Sequence, residues 1–197
     1  MERESAALTE RMTPGGPSFS SVAGRVLAAM PALTDPNFHQ VLVFVAEHDD
    51  KGALGFVLNR PLQKKLCEVT RGPALGEVLG QVPVYFGGPV QTEHILLALY
   101  QADPDGRHVR CRLGLPVEQL EAHVGEAHSW VRAYGGYSGW GVGQLDRELR
   151  EGAWKVCDPD VTLFAEYLVG GLWPFFISGD ARWKSLLPHL PRESESN

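Results

Sequence analysis

The sequence predicts an α+β domain, a mixed or antiparallel sheet with helices packed around it. Three observations carry this. Apolar runs rich in β-branched residues come in pairs separated by turn residues, as in hairpins. Aspartate–proline pairs and short apolar repeats at helical spacing mark helices between them. A strict alternation of strand and helix, which a parallel sheet requires, is missing.

Residues 30–61, MPALTDPNFHQVLVFVAEHDDKGALGFVLNRP, stand at the centre of the pattern. The run VLVFVA at 41–46 reads as a strand buried on both faces. Glu47 to Gly52 is a turn cluster, and residues 53–58 return as a second strand that Pro61 stops by lacking a ladder donor. Asp35 and Pro36 have the form of a helix start, with Asp35 as N-cap and Phe38 in the first turn.

The other elements follow in chain order. Residues 1–21 mix charges of both signs with TPGGPS, so a flexible arm is expected there, and 191–197 read the same way. Residues 22–190 between them form one domain. Residues 24–30 read as a first strand, 75–79 as a short helix, and 82–86 as a strand ending in Gly87-Gly88-Pro89. Residues 94–100 and 107–113 form a hairpin across Asp103-Pro104-Asp105-Gly106. Pro116 opens a helix to Val124 whose Val117, Leu120 and Val124 share a face. A strand over 128–134 leads into a glycine-rich connection at 135–143. A helix over 144–150 then pairs Leu145 with Leu149 and ends at Gly152. Asp158-Pro159 starts a further helix through residue 168, and 181–190 supply a last one.

With 197 residues the chain is long enough to bury about 70% of its unfolded surface in one domain. A hydrophobic fraction of 44% and a charged fraction of 21% are ordinary for a soluble protein. The net charge of −6, from 18 basic and 24 acidic residues, works against general attraction to nucleic acid or anionic membrane. Cys67, Cys111 and Cys157 are few, odd in number and far apart, which fits buried thiols in a reducing compartment. The charged N-terminus has no signal-peptide core, and the apolar region 163–177 is too interrupted to span a bilayer. A soluble, cytoplasmic protein is expected.

Chemistry is concentrated in few places. GYSGWGVGQL at 136–145 sits between a predicted strand and a predicted helix. It fails as a dinucleotide fingerprint, because Gln144 stands where the last glycine falls. It nearly makes a nucleophile elbow around Ser138, but Trp140 replaces the second glycine. Its plainer reading is a tight turn that lets Tyr137 and Trp140 pack closely, and its helix start suits an anion. Glu47-His48-Asp49-Asp50 groups carboxylates with an imidazole, yet consecutive side chains diverge, so a turn with an interior Glu47 or His48 holding backbone is preferred to a metal site. His94 and His128 read as structural. Phe86-Gly87-Gly88-Pro89 is a strand-ending turn or an anion nest. Arg110 and Arg112 share one strand face beside Arg107 and His108, either a small basic patch or a solvated hairpin face.

These motifs together resemble the YqgE/AlgH family of mostly bacterial proteins. The 30–61 stretch is similar to its N-terminal signature, PVYFGGPV to its middle one, and GGYSGWGVGQLDREL with Ala153-Trp154 to its C-terminal one. The resemblance implies an α+β domain with a bent, partly barrel-like sheet surrounded by helices. It implies no reaction and no set of catalytic residues. The family's association with transcription and alginate production is a label rather than a demonstrated DNA-binding activity.

The leading expectation is a non-enzymatic regulatory domain that binds a small polar or anionic ligand or a protein partner, without metal or cofactor. Asp35, Phe38, Gly87, Gly88, Tyr137, Trp140 and Gln144 are expected to converge on one cleft. The alternatives are a hydrolase using Ser138 and, less favoured, direct DNA binding. The stretch 168–177, with Leu168, Leu172, Trp173, Phe175, Phe176 and Ile177, is expected either to form a self-association surface or to fold back as a lid on the core.

Overall fold

Two wings of sheet share a single long strand, and the whole curls into a half-barrel. The structure is a computed structural model that describes residues 20–70, 76–165 and 171–180. Its strands are β1 (Val26–Ala29), β2 (Leu42–Asp49), β3 (Gly52–Val57), β4 (Pro61–Lys65), β5 (Pro83–Phe86), β6 (Val90–Ala102), β7 (Val109–Leu113), β8 (Ser129–Trp140) and β9 (Trp154–Cys157). Its helices are α1 (Leu66–Val69), α2 (Glu77–Gly80), α3 (Val117–His123), α4 (Gln144–Arg150), α5 (Thr162–Ala165) and α6 (Trp173–Ser178).

The first wing runs β9-β1-β2-β3-β8 and the second β4-β5-β8-β6-β7. All pairs are antiparallel except β5 with β8, so the sheet is mixed. β8 belongs to both wings: residues 133–135 pair with β5, residues 138–140 with β3, and β6 runs along much of its length. This is the bent, partly barrel-like α+β fold that the family resemblance implies.

Apolar side chains fall into three clusters that follow from the strand period of two. The interior of the half-barrel holds Phe44, Phe56, Tyr85, Tyr100 and Tyr134, closed by Phe164, Leu172 and Phe176. On the outer face of the first wing, Leu27, Val43, Val45 and Val57 pack with Trp140, Leu145 and Trp154, with α4 contributing Leu145. On the outer face of the second, Val84, Leu99 and Val131 are covered by Leu66, Leu79 and Leu120 from α1, α2 and α3. β2 feeds both sides, which is why it reads as an unbroken apolar run.

Several expectations are corrected. The glycine-rich stretch at 135–143 is a strand as far as Trp140, not a connection. Its glycines are where β8 passes from one wing to the other: Gly136 has φ +72°, and a Cβ there would stand 2.7 Å from the Gly88 and Val90 carbonyl oxygens. Pro61 begins β4 rather than ending the sheet, at an edge where its missing donor costs no ladder bond. β2 continues through Glu47 and His48 to Asp49, with a bulge between Val45 and Glu47. Asp35 organises a turn, not a helix, accepting from the Asn37 N–H at 2.8 Å. Asp160 rather than Asp158 caps α5, accepting from the Thr162 N–H at 3.0 Å. β9 and α1 carry no sequence signal strong enough to have been expected.

In the 168–177 stretch, residues 168–170 lie outside the described residues, as do the expected helix at 181–190 and both arms apart from Ser20 and Ser21. Residues 171 and 172 lead into α6, in which Trp173, Phe175 and Ile177 are half-buried against the interior cluster. Leu172 and Phe176 enter the barrel interior, and the Trp173 indole donates to the Ala29 carbonyl at 2.7 Å. Lys155 fixes the helix end by donating to the Phe176 and Ile177 carbonyls.

Candidate functional site

The C-terminal signature closes on a carboxylate. Trp140 at the end of β8 and Trp154 at the start of β9 both donate their indole N–H to Glu148 Oε2, at 2.9 and 2.8 Å. Gln144, one turn earlier on α4, donates to Glu148 Oε1 at 2.9 Å, and its own Oε1 accepts from the Gly141 N–H at 3.0 Å. The helical i, i+4 spacing places Gln144 and Glu148 on one face toward the two indoles. Phe38, delivered by the Asp35 turn, lies 6.3 Å from Trp140 in a stacked arrangement and 5.6 Å edge-on from Trp154. Arg60 holds that turn by donating to the Pro36, Asn37 and His39 carbonyls.

So Phe38, Trp140 and Gln144 do come together, beneath the exposed Asp35 turn, but as a satisfied structural cluster. Tyr137 does not join them. It lies an odd number of positions from Trp140 on the same strand and packs toward the barrel interior instead. Gly87 and Gly88 press against β8: a Cβ on Gly87 would stand 2.1 Å from the Gly136 carbonyl oxygen, and one on Gly88 2.3 Å from the Tyr137 carbonyl carbon. The Gly87 N–H donates to Gly135 O, and its carbonyl accepts from the Val57 N–H and the Ser138 hydroxyl. The donor that an anion nest needs at Gly87 is therefore taken. Ser138 is fully buried, and its hydroxyl donates to Gly87 at 3.1 Å rather than to an imidazole.

Glu148 is not among the expected site residues, because no local pattern links two tryptophans 14 residues apart to one carboxylate. Of the pair expected to hold backbone from the interior, His48 is the buried one and Glu47 is exposed. The His48 Nδ1 accepts from the Val22 N–H at 3.2 Å and its Nε2 faces Asp146 at 3.7 Å. Arg132 is likewise not among the expected site residues, although a lone charge inside the apolar run of β8 is itself a signal. Its guanidinium is buried, donates to Leu163 O at 2.6 Å, and lies 4.6 Å from the Tyr85 ring.

An open concavity lies elsewhere. A groove of about 750 Å³ runs between the β6–β7 hairpin and the corners at residues 23–25 and 158–159. Arg25, Arg107, Arg110 and Arg112 line it against Asp103 and Asp158, and Ala46, Val109 and Cys111 supply apolar wall. Burial pushes the Cys111 thiol up to about 12 and raises Cys157 as well, so both are neutral and unreactive near pH 7. On the hairpin, Asp103, Asp105 and His108 bring their ligand atoms within 4.8 Å of one another. They already face Arg107 and Arg110. Among the described residues no helix is long and apolar enough to cross a membrane.

Fold and site thus define a class: a half-barrel α+β protein whose signature residues brace the fold, with a groove left open beside them. Residues 26–189 match the family model described as AlgH-like (DUF179). A UPF0301 protein of Streptomyces avermitilis is 39% identical over 160 residues, spanning 74% of this chain and 80% of that one. Another from Pseudomonas putida is 36% identical over 147 residues, 68% of this chain and 77% of that one. The solution structure of the AlgH protein from Pseudomonas aeruginosa has a TM-score of 0.60 at 27% identity, covering 91% of this chain and 98% of that one. A crystal structure of a Corynebacterium diphtheriae protein has a TM-score of 0.58 at 19% identity, over 88% and 89%, a likeness of fold. The chain belongs to the AlgH-like family.

Proposed function

We propose that this protein is a non-enzymatic regulatory domain that acts in the cytoplasm by binding a partner or ligand. One observation carries the reading. The polar atoms of the family signatures are committed inward, with Ser138 on Gly87, Gln144 and both indoles on Glu148, and His48 on Val22. A general base or nucleophile must be able to reach a substrate, whereas these groups hold elements together. Purification under native conditions followed by mass spectrometry tests it, together with simple-ester hydrolysis by the native protein and Ser138→Ala. The expected result is a bound partner or ligand and hydrolysis at background in both proteins. Turnover that disappears in Ser138→Ala overturns it.

A further inference from the structure

We propose that the groove between the β6–β7 hairpin and the corners at residues 23–25 and 158–159 binds an extended acidic segment of a partner protein. This rests on the binding-domain reading and gives it a site and a chemistry.

Charge is the first argument. The protein carries a net charge of −6, yet this groove is lined by four arginines and two aspartates. The three arginines of the hairpin are weakly engaged. Arg110 stands 3.7 Å from Asp103, and Arg107 stands 3.9 Å from Asp105. Arg25 is half-buried and more firmly held, 2.9 Å from Asp158 and donating its Nε–H to the Cys157 carbonyl at 3.3 Å, so it shapes the corner. Arg112 is paired through its backbone with Leu99, but among the described residues its side chain has no ion pair or hydrogen bond. Guanidinium groups recognise carboxylates through paired N–H donors, so exposed arginines held this loosely are available to an incoming acid.

Spacing is the second. Arg110 and Arg112 are alternate residues of β7 and are both exposed, Val109 between the hairpin turn and them being buried. Alternate strand residues stand about 7 Å apart on one face, the repeat of an extended peptide. Acidic residues at every second position therefore meet both arginines in register.

Other occupants fit less well. Among the described residues no phenyl, phenol or indole ring lines the groove and His108 is its one imidazole, so successive nucleobases lack the aromatic platform on which proteins hold single-stranded nucleic acid. A lone phosphate fills little of about 750 Å³. A second copy meeting β7 edge to edge sets arginine opposite arginine, which is repulsive. The peptide does not add to β7 as a further strand either. A Cβ on Gly24 would stand 3.4 Å from the Val109 carbonyl oxygen, so the 23–25 corner lies against the start of that edge. It lies along the groove, held by side chains.

Fluorescence polarisation tests this with a labelled peptide bearing glutamate at alternate positions, against its glutamine and lysine counterparts. Tripolyphosphate and an oligothymidine serve as competing probes. The double variant R110E/R112E changes only exposed side chains, and a urea titration checks that it is folded. The glutamate peptide is expected to bind the native protein, to lose about tenfold or more in the double variant, and to weaken with salt. The lysine peptide is expected to bind the double variant in its place. Absence of glutamate-peptide binding overturns the proposal, as does equal binding by the folded double variant. Tighter binding of tripolyphosphate or oligothymidine with the same arginine dependence also overturns it. If the peptide fails while a ligand still co-purifies with both proteins, the groove is wrong and the binding-domain reading stands. Ester turnover would remove that reading instead.

Discussion

Glu148 carries three hydrogen bonds from Trp140, Trp154 and Gln144, and so ties the end of β8 to the start of β9 through α4. Removing it strands two indole N–H groups on tryptophans only 6% and 4% exposed. Glu148→Ala should therefore cost about 3 kcal/mol, since each unsatisfied buried donor costs about 1–3. Glu148→Gln keeps one oxygen for the indoles and should recover roughly half of the loss, because the neutral acceptor is weaker. Gln144→Ala removes one bond and should cost about 1 kcal/mol. Urea unfolding followed by tryptophan fluorescence measures all three. Equal losses in Glu148→Ala and Glu148→Gln would show that side-chain packing, not hydrogen bonding, is at stake. This residue also shows the limit of sequence reading for the candidate site. Trp140 and Gln144 stand out in a glycine-rich motif, but they turn toward Glu148 on α4, and the second indole on that carboxylate comes from β9, a strand with no signal of its own.

The elements that sequence reading found are those with local causes. α4 is legible from Leu145, Leu149 and Gly152, and the β2–β3 and β6–β7 hairpins from their turn residues. β8 was cut short because glycine is a weak strand former, and the reason for glycine here is tertiary: backbone from the Gly87–Gly88 corner and β6 crowds it. That gives a paired prediction. Gly136→Ala adds a Cβ at φ +72° within 2.7 Å of two carbonyl oxygens, and should destabilise by at least about 2 kcal/mol. Gly143→Asn, at φ +63° with open space around it, should change stability by less than about 0.5 kcal/mol, because asparagine tolerates that conformation. Thermal melts of the two variants give the comparison, and similar losses would mean that crowding at Gly136 is relieved cheaply.

At the scale of the whole molecule, the half-barrel interior buries weak acids. Burial raises Tyr100 well above its usual value and pushes Tyr134 up to about 12, beside Cys111, also at about 12. The folded chain keeps protons that the unfolded chain releases from about pH 9 upward. Stability is thus full below that pH and falls as the pH climbs toward 12, by about 1.4 kcal/mol per unit for each group that titrates only on unfolding. The urea midpoint should be level from pH 7 to 9 and then decline, and Tyr134→Phe should make the decline shallower. A midpoint unchanged to pH 11 would mean that these groups ionise in the folded state. The shared strand has a consequence of another kind, for the order in which the molecule is made. β3 finds its partner 85 residues later, at Gly139, and β1 finds β9 more than 100 residues later. A chain emerging from its N-terminus must carry β3, β5 and β6 with unpaired edges until residues 129–140 arrive. The second wing is complete once β8 has emerged, whereas the first still waits for β9 at residues 154–157. Such non-local pairing places refolding in the range of about milliseconds to seconds, and it makes the nascent chain, rather than the finished protein, the form most exposed to aggregation.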